Sequence, residues 1–534
     1  MSKPLFLFVY PEVPDTYWSY KHALSFVGKR ALMPPLGLAT VAAMVPDEYE
    51  CRIVDLNVEK LPTRLIQSAE LVLVSAMIVQ ADSLREVIER CRGAGTRVAA
   101  GGPYVTSCHE SIEGVDYAIL GEAEETFPEF LADFAAGTPR PVYTCQARPA
   151  LAAAPIPRFD LLKLRYYDSV PLQFSRGCPF DCEFCDIVHL FGHRARTKSP
   201  EQFIAELDAA LATGFSGSVF VVDDNFIGNR RAVKDLLRAV AAWQREHDHP
   251  FNLSTEASID LASDDELLDL MVAAGFRMVF VGIESPEPES LAAAGKLQNL
   301  KHDVAASVRK IQERGIEVTG GFIIGFDSDT PEIFDLQIDF VQELAIPTAM
   351  VGLLMALPNT RLYDRLEREG RILSVATGNN THNSALNFRP KMPRERLEAG
   401  YYRVLETIYA PRHYFSRCLE VLNRYPRAEK ARQLRKQIAW REIVGVLNSL
   451  ARQIFSRYGT AYLSYMIRAL RRRPDLIVGI VTMSIQGHHY FTITRRVLSR
   501  RRRELRAAAR GRADTRSAAR ATIERLMPEP TTAN

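Results

Sequence analysis

The chain has 534 residues, too many for one ordinary core, and its length points to two to four domains. Its composition, 47% hydrophobic and 25% charged, is that of a soluble globular protein, and no run of eighteen apolar residues offers a transmembrane helix. The net charge of +3 belongs to one end, where residues 495–525 hold twelve arginines against Glu504, Asp514 and Glu524, so the remainder is mildly acidic.

The N-terminal sequence MSKPLFLFVYPEVPD has no small-residue cleavage site after its apolar run, which reads as a first strand rather than a signal peptide. Further strand-like runs fall at 51–57, 71–77, 97–103 and 117–122, separated by helical segments such as 36–45 and 83–95. Near-continuous apolar strands alternating with helices predict a doubly wound α/β domain over residues 1–140, with a parallel sheet covered on both faces. Ligands of such sheets bind beyond the carboxyl ends of the strands. Those ends carry Asp55, Asn57, Ser75, Gly101, Gly102 and Gly121, and the glycines would let a flat ligand approach the backbone. A Gly-Gly pair is also an ordinary turn. No G-x-G-x-x-G follows the first strand, which argues against a dinucleotide. Cys51, Cys91, Cys108, Cys145 and Cys418 are scattered without a disulfide framework, as expected in a reducing cytoplasm.

Residues 141–168, rich in Ala and Pro, read as a linker, and β/α alternation resumes over 169–375. The strand 171–177 runs into SRGCPFDCEFCDI, which sets Cys178, Cys182 and Cys185 in a C-x3-C-x2-C array. Soft thiolates select zinc, Cu(I) or iron-sulfur clusters. A closed zinc site wants four ligands; a zinc knuckle completed by His189 or His193 is the alternative to a cluster with one iron left open. Ser199, Pro200 and Gln202 then open a capped helix. Later strands end in Asp223, Asp224 and Asn225, in Thr255 and Glu256, and in Glu284, while another carries Gly321 and Gly325. Charged groups directly after apolar strands are costly in a core, so they are expected at the mouth of a barrel. Glu256 and Glu284 could instead be ion-pair partners of Arg176 or Lys296. About six β/α units are present, which predicts a partial (β/α)6 barrel.

The cysteine array resembles the radical S-adenosylmethionine (SAM) superfamily, in which it holds a 4Fe-4S cluster whose open iron chelates SAM. The resemblance implies that Phe184 packs near the adenine, that Asp223 or Asp224 holds the SAM amino group, that Thr255 and Glu256 meet the ribose, and that Gly321 and Gly325 lie against the adenosine. The upstream domain, with PPLGL and GGP, is similar to the cobalamin-binding module of cobalamin-dependent members of that superfamily. No Asp-x-His-x-x-Gly motif is present, so a bound cobalamin would lack a lower histidine ligand. PRFDLLKLRYY, CEFCDI, VDDNFIGN and GGFIIGFDSDT resemble the group that includes the hopanoid 2-methylases. Membership implies a C-methyltransferase in which one SAM methylates cobalamin and a second generates the radical that opens an inert C–H bond. The alternatives are a rearrangement or oxidation with the same cofactors, and a cobalamin- or redox-responsive binding protein without turnover.

Residues 376–492 read as a helical domain and 493–534 as a basic, partly disordered tail. Tyr401, Tyr402, Tyr409 and Tyr414 read as core packing, and His488-His489 lacks further ligands for a metal site. The apolar stretch 475–493, flanked by arginines, is either a buried final helix or a helix lying on a membrane surface. The expected partners are a small-molecule or lipid substrate and an external electron donor, with no nucleic acid. The expected location is cytoplasmic, with peripheral membrane contact left open.

Overall fold

The computed structural model describes residues 3–145, 147–379, 381, 386–427 and 440–526. The apolar runs of the first third form β1 (Leu5–Tyr10), β2 (Glu50–Asp55), β3 (Ala69–Ser75), β4 (Val98–Gly101) and β5 (Tyr117–Ile119), and the sheet is completed by β6 (Val142–Tyr143). All pair in parallel in the order β2-β1-β3-β4-β5-β6. Successive side chains point to opposite faces. Leu7, Val9, Val72 and Val74 pack with the helix Ala81–Ala94, whereas Phe6, Phe8, Leu71 and Leu73 pack with Leu36–Ala42 and Ala123–Ala135. β1 lies between β2 and β3, which places the ligand crevice of such a sheet over their carboxyl ends. The stretch expected as a linker thus opens with β6, and only its later part is irregular, with short 3-10 turns.

The second sheet takes β7 (Ser169–Leu172), then, after the short pair β8 (Ser175–Arg176) and β9 (Arg196–Thr197), the strands β10 (Gly217–Val221), β11 (Phe251–Glu256), β12 (Phe276–Glu284), β13 (Glu317–Ile324) and β14 (Ala349–Leu353). Its order follows the chain, β7-β10-β11-β12-β13-β14, and every pairing is parallel, as in a six-unit half-barrel. Phe251, Leu253 and Thr255 are buried, and alternate Asn252, Ser254 and Glu256 are half-buried. One face is therefore sealed by helices and the other lines the barrel interior. The strand expected over 171–177 breaks after Leu172. Ser175–Arg176 peels away to pair antiparallel with β9 because Asp223 accepts the backbone N–H groups of Phe174 and Ser175, each at 2.8 Å.

The C-terminal region contains the helices Arg361–Arg368, Arg394–Ile408, Pro411–Arg424, Trp440–Gln453, Gly459–Arg472 and Ile477–Leu526. The apolar stretch 475–493 is buried, with Ile480, Val481, Met483, Ile485 and Tyr490 in the core, so it is not the segment that could lie on a membrane. The same helix passes through residue 493 unbroken and buries Ile493, Thr494 and Val497, so the expected tail begins as core; residues 527–534 lie outside the described residues. All four tyrosines of the 401–414 stripe are buried, and three donate to carbonyl groups: Tyr401 to Val351, Tyr409 to Ala349 and Tyr414 to Met483. Tyr17 and Tyr20 wedge between the barrel and the last helix through Thr494 and Tyr490. No described helix is long and apolar enough to cross a membrane.

Candidate active site

The cysteine loop is fastened on three sides. Gly177, in the left-handed region at φ +96, donates its N–H to Asp224 at 2.7 Å, and a Cβ there would lie 2.6 Å from the Arg194 carbonyl oxygen. Glu183 N–H donates to the Ala294 carbonyl, and Leu362 N–H donates back to the Glu183 carbonyl. The Glu183 carboxylate accepts both Arg365 Nε and Nη2, at 2.6 and 3.1 Å. Cys178, Cys182 and Cys185 are free thiols, half-buried on this loop. Burial raises all three thiol pKa values, so thiolates here need a cationic partner. Three thiols without a disulfide form the donor set that could hold a 4Fe-4S cluster. Among the described residues no three Cys, His, Asp or Glu groups converge on a single ion, neither the three cysteines nor a set with His189 or His193.

Lys296 stands beside the loop and pairs with Glu284 at 2.8 Å. Burial pulls the ammonium down, but Glu284 and the Cys182 sulfur outweigh it and leave its pKa raised. Glu284 adopts φ +67, uncommon for a residue with a side chain, where the β12–β13 register shifts. Its carboxylate is thus an ion-pair partner. Arg176, the other candidate cation, binds neither Glu256 nor Glu284: it reaches Glu122 and Glu124, each at 2.7 Å.

The expected SAM contacts separate into two groups. Glu256 is half-buried on the inner face of β11 and has no hydrogen bond to described residues. Burial, then the Asp224 and Asp223 carboxylates, raises it to about 7, with Lys296 opposing. Phe184 lies on the cysteine loop with its ring 6.2 Å from Phe326, just past β13. Gly321 faces the interior, where a Cβ would come 2.8 Å from the Phe280 ring, and Gly325 takes φ +110 with its N–H held by Asp329 at 2.7 Å. Two expectations are corrected, for Asp223 and Thr255. Asp223 is buried, and its two oxygens are filled by Phe174 N–H, Ser175 N–H and the Ser175 hydroxyl, so it shapes the loop rather than facing a ligand. Asp224, half-buried and raised to about 6 by burial, accepts Gly177 N–H through one oxygen and makes no hydrogen bond through the other among the described residues. Thr255 points to the sealed face, where its hydroxyl donates to the Val221 carbonyl at 2.9 Å. Asn225, read from the sequence as part of the same polar strand end but given no role, binds Ser258 through its amide and also reaches Cys178.

At the other sheet, Ser75, Gly101, Gly102 and Gly121 form the rim after β3, β4 and β5. Gly102 has φ +89, and a Cβ on it would meet Ser75 Oγ at 2.4 Å; on Gly101 it would meet the Ile119 carbonyl at 3.1 Å. Only backbone fits there, which suits a broad, flat ligand such as cobalamin. Gly121 stays open, its nearest neighbour 4.0 Å from where a Cβ would stand. Asp55 and Asn57 are not part of that surface. The Asp55 carboxylate, raised in pKa by burial, accepts Asn57 N–H and the Tyr167 hydroxyl, both at 2.8 Å, and Asn57 Oδ1 accepts Val13 N–H at 2.8 Å. They tie the loops after β1 and β2 to the segment entering the barrel.

The two rims are joined directly. Glu122, beside Gly121, accepts Arg176 at 2.7 Å and Arg196 at 2.6 Å, both from the β8–β9 hairpin that frames the cysteines. Asn359 donates to the Ser107 carbonyl, and a Cβ on Gly378 would strike the Ile78 side chain at 2.3 Å. From the N-terminal domain, Trp18 reaches the barrel interior, with its ring 5.0 Å from Phe280.

Comparison with known proteins agrees with this layout. Residues 30–131 match the B12 binding domain, 172–341 the radical SAM superfamily, and 360–503 a domain of unknown function, DUF4070. The chain is 45% identical to an uncharacterized methyltransferase of Synechocystis over 77% of each chain. It is 33% identical to the hopanoid C-2 methylase of Rhodopseudomonas palustris over 92% of this chain and 93% of that one. Its fold is similar to that of the radical SAM methyltransferase TsrM from Kitasatospora setae, solved with cobalamin and a 4Fe-4S cluster, at 18% identity and a TM-score of 0.57 over 89% of this chain and 100% of the other.

Proposed function

Because the chain belongs to the family of cobalamin-binding radical SAM methyltransferases that contains hopanoid C-2 methylase, we propose that it methylates an unactivated carbon of an isoprenoid-class lipid. The observation that carries the acceptor class is the 33% identity with hopanoid C-2 methylase over 92% of the chain, which includes the C-terminal helices beyond both cofactor domains. The barrel lining supports it: Phe220, Met278, Phe280 and Ile323 occupy inward-facing positions, and Trp18 lies against Phe280. These positions offer hydrocarbon contact beside the polar Asn252, Ser254 and Glu256 of β11.

When bound, the cluster and SAM supply an electron and a hydrogen-abstracting radical, and cobalamin supplies the methyl group. The residues of the chain position these groups. Cys178, Cys182 and Cys185 would hold the cluster, with the loop fixed by Asp224, Glu183 and Arg365. Glu256 would accept the SAM ribose hydroxyls, and Phe184 would flank the adenine. The rim of Ser75, Gly101, Gly102 and Gly121 would carry cobalamin opposite the barrel mouth, and Trp18 would exclude water from the acceptor. The test is anaerobic incubation with SAM, cobalamin, reductant and a pentacyclic isoprenoid lipid, read by mass spectrometry. A gain of one methyl group, absent with Cys182→Ala, is expected; methylation of a water-soluble acceptor while the lipid stays unchanged would overturn the acceptor class.

A further inference from the structure

The helices Trp440–Gln453 and Gly459–Arg472 carry an apolar face that no described residue covers. Ile443, Leu447, Leu450, Leu463 and Ile467 are all exposed, and Phe455, in the turn between the helices, is 89% exposed. Single exposed apolar residues are ordinary, whereas a contiguous set on one face marks a contact surface. These residues share a face by helix geometry. Ser449 and Tyr462 touch across the pair at 3.1 Å, and each is followed by an exposed leucine, Leu450 and Leu463. One residue turns the helix by about 100°. Both helices pack on the last helix, Ser449 through Ser484, and Leu450 and Leu463 each stand exposed one residue on from these buried contacts. Ile443 and Leu447 continue the line on one helix and Ile467 on the other.

The charge of the hairpin identifies what it meets. From residue 440 to 472 the chain holds six arginines against one acid, Glu442. Arg457 flanks Phe455, Arg471 and Arg472 close the far end, and all three are exposed without a carboxylate partner among the described residues. An apolar stripe with a predominantly cationic rim is complementary to an anionic lipid surface, in which the apolar groups enter the acyl boundary and the arginines meet headgroup phosphates. The hairpin is also rigidly mounted. Asn448 donates to the Phe26 carbonyl at 2.8 Å, and the Arg452 guanidinium lies over the Phe26 ring at 4.9 Å, in the segment that follows Trp18 and Tyr20.

We propose that the 440–472 hairpin docks this protein on an anionic bilayer surface, with Phe455 as the inserted tip. The proposal stands apart from the methyl-transfer reading, because docking is measured without SAM, reductant or turnover. Sedimentation of the full chain with vesicles of phosphatidylglycerol and phosphatidylcholine tests it, with pure phosphatidylcholine vesicles and 0.5 M salt as contrasts. Expected are binding to the anionic vesicles, at least tenfold weaker binding with Phe455→Asp plus Leu463→Asp, and loss of most binding in either contrast. An unchanged melting temperature of the double variant would establish that the loss is not unfolding. Arg457→Glu plus Arg471→Glu, which leaves the apolar face intact, is expected to weaken anionic binding by a similar factor. Equal binding of either variant would overturn the proposal, as would no binding by the parent chain. A concentration-dependent dimer in light scattering that the same aspartates dissolve would also overturn it, by assigning the face to a second copy.

Discussion

At the scale of single residues, the period-two alternation of β11 decides between neighbours. Thr255 and Glu256 are adjacent, yet one bonds a carbonyl on the sealed face and the other opens to the barrel. Thr255→Val is therefore expected to cost about 1 kcal/mol of stability, the net worth of one hydrogen bond, and to leave SAM affinity unchanged. Glu256→Gln should keep the melting temperature and weaken SAM binding about tenfold or more, roughly 1.4 kcal/mol. Calorimetric titration of the reconstituted protein with SAM separates them, and an equal loss of affinity in both would reject the assignment of faces. This pair also marks the limit of sequence reading. That polar groups end these strands was legible, because carboxylates are expensive inside a core. Which of them face the ligand depended on whether a backbone donor waited nearby, as Phe174 and Ser175 do for Asp223 and Val13 does for Asn57. Those partners lie 44 to 49 residues away in the chain and carry no local signal.

At the scale of elements, the alternating strands and helices were readable because near-continuous apolar runs have few other uses. The break after β7, the strand β6 and the continuation of the last helix past residue 493 were not, since each is set by tertiary hydrogen bonding or burial. That last helix makes a pH prediction. His489 is fully buried; its Nε2–H donates to the Tyr17 carbonyl, and its Nδ1 accepts His22 N–H. Both ring nitrogens are thus satisfied by the neutral tautomer only. Burial first, then His22, lowers its pKa to about 3. An unfolded histidine binds a proton near 6.5. Stability is therefore intact above that value and declines as pH falls toward the folded pKa, by up to about 1.4 kcal/mol per pH unit. His489→Asn should be less stable at pH 7.5 but lose less on acidification to pH 5.5. Melting curves across that range check it, and parallel slopes for the two proteins would contradict it.

At the scale of the whole molecule, the two cofactor domains act as one body because Glu122 and Glu124 of the first hold Arg176 and Arg196 beside the cysteines of the second. Removing one partner of a buried ion network leaves charge without compensation and costs about 3–5 kcal/mol. Glu122→Ala is expected to lower stability by that order in urea unfolding and to separate the domains into two transitions. A single transition with unchanged midpoint would show that the network does not couple them. The two rims are built into one architecture: Glu122 beside Gly121 ties the first domain to the hairpin that frames the cysteines, and Trp18 of the first domain meets Phe280 of the barrel.

The most direct measurement of the central claim is the stoichiometry of SAM use during anaerobic turnover with reductant, cobalamin and the isoprenoid acceptor. Equal amounts of 5'-deoxyadenosine, S-adenosylhomocysteine and methylated lipid are expected, two SAM consumed for each methyl placed, with 5'-deoxyadenosine absent in Cys182→Ala. Steady formation of 5'-deoxyadenosine and an altered lipid without added methyl or S-adenosylhomocysteine would contradict methyl transfer and assign the chain to a rearrangement or oxidation.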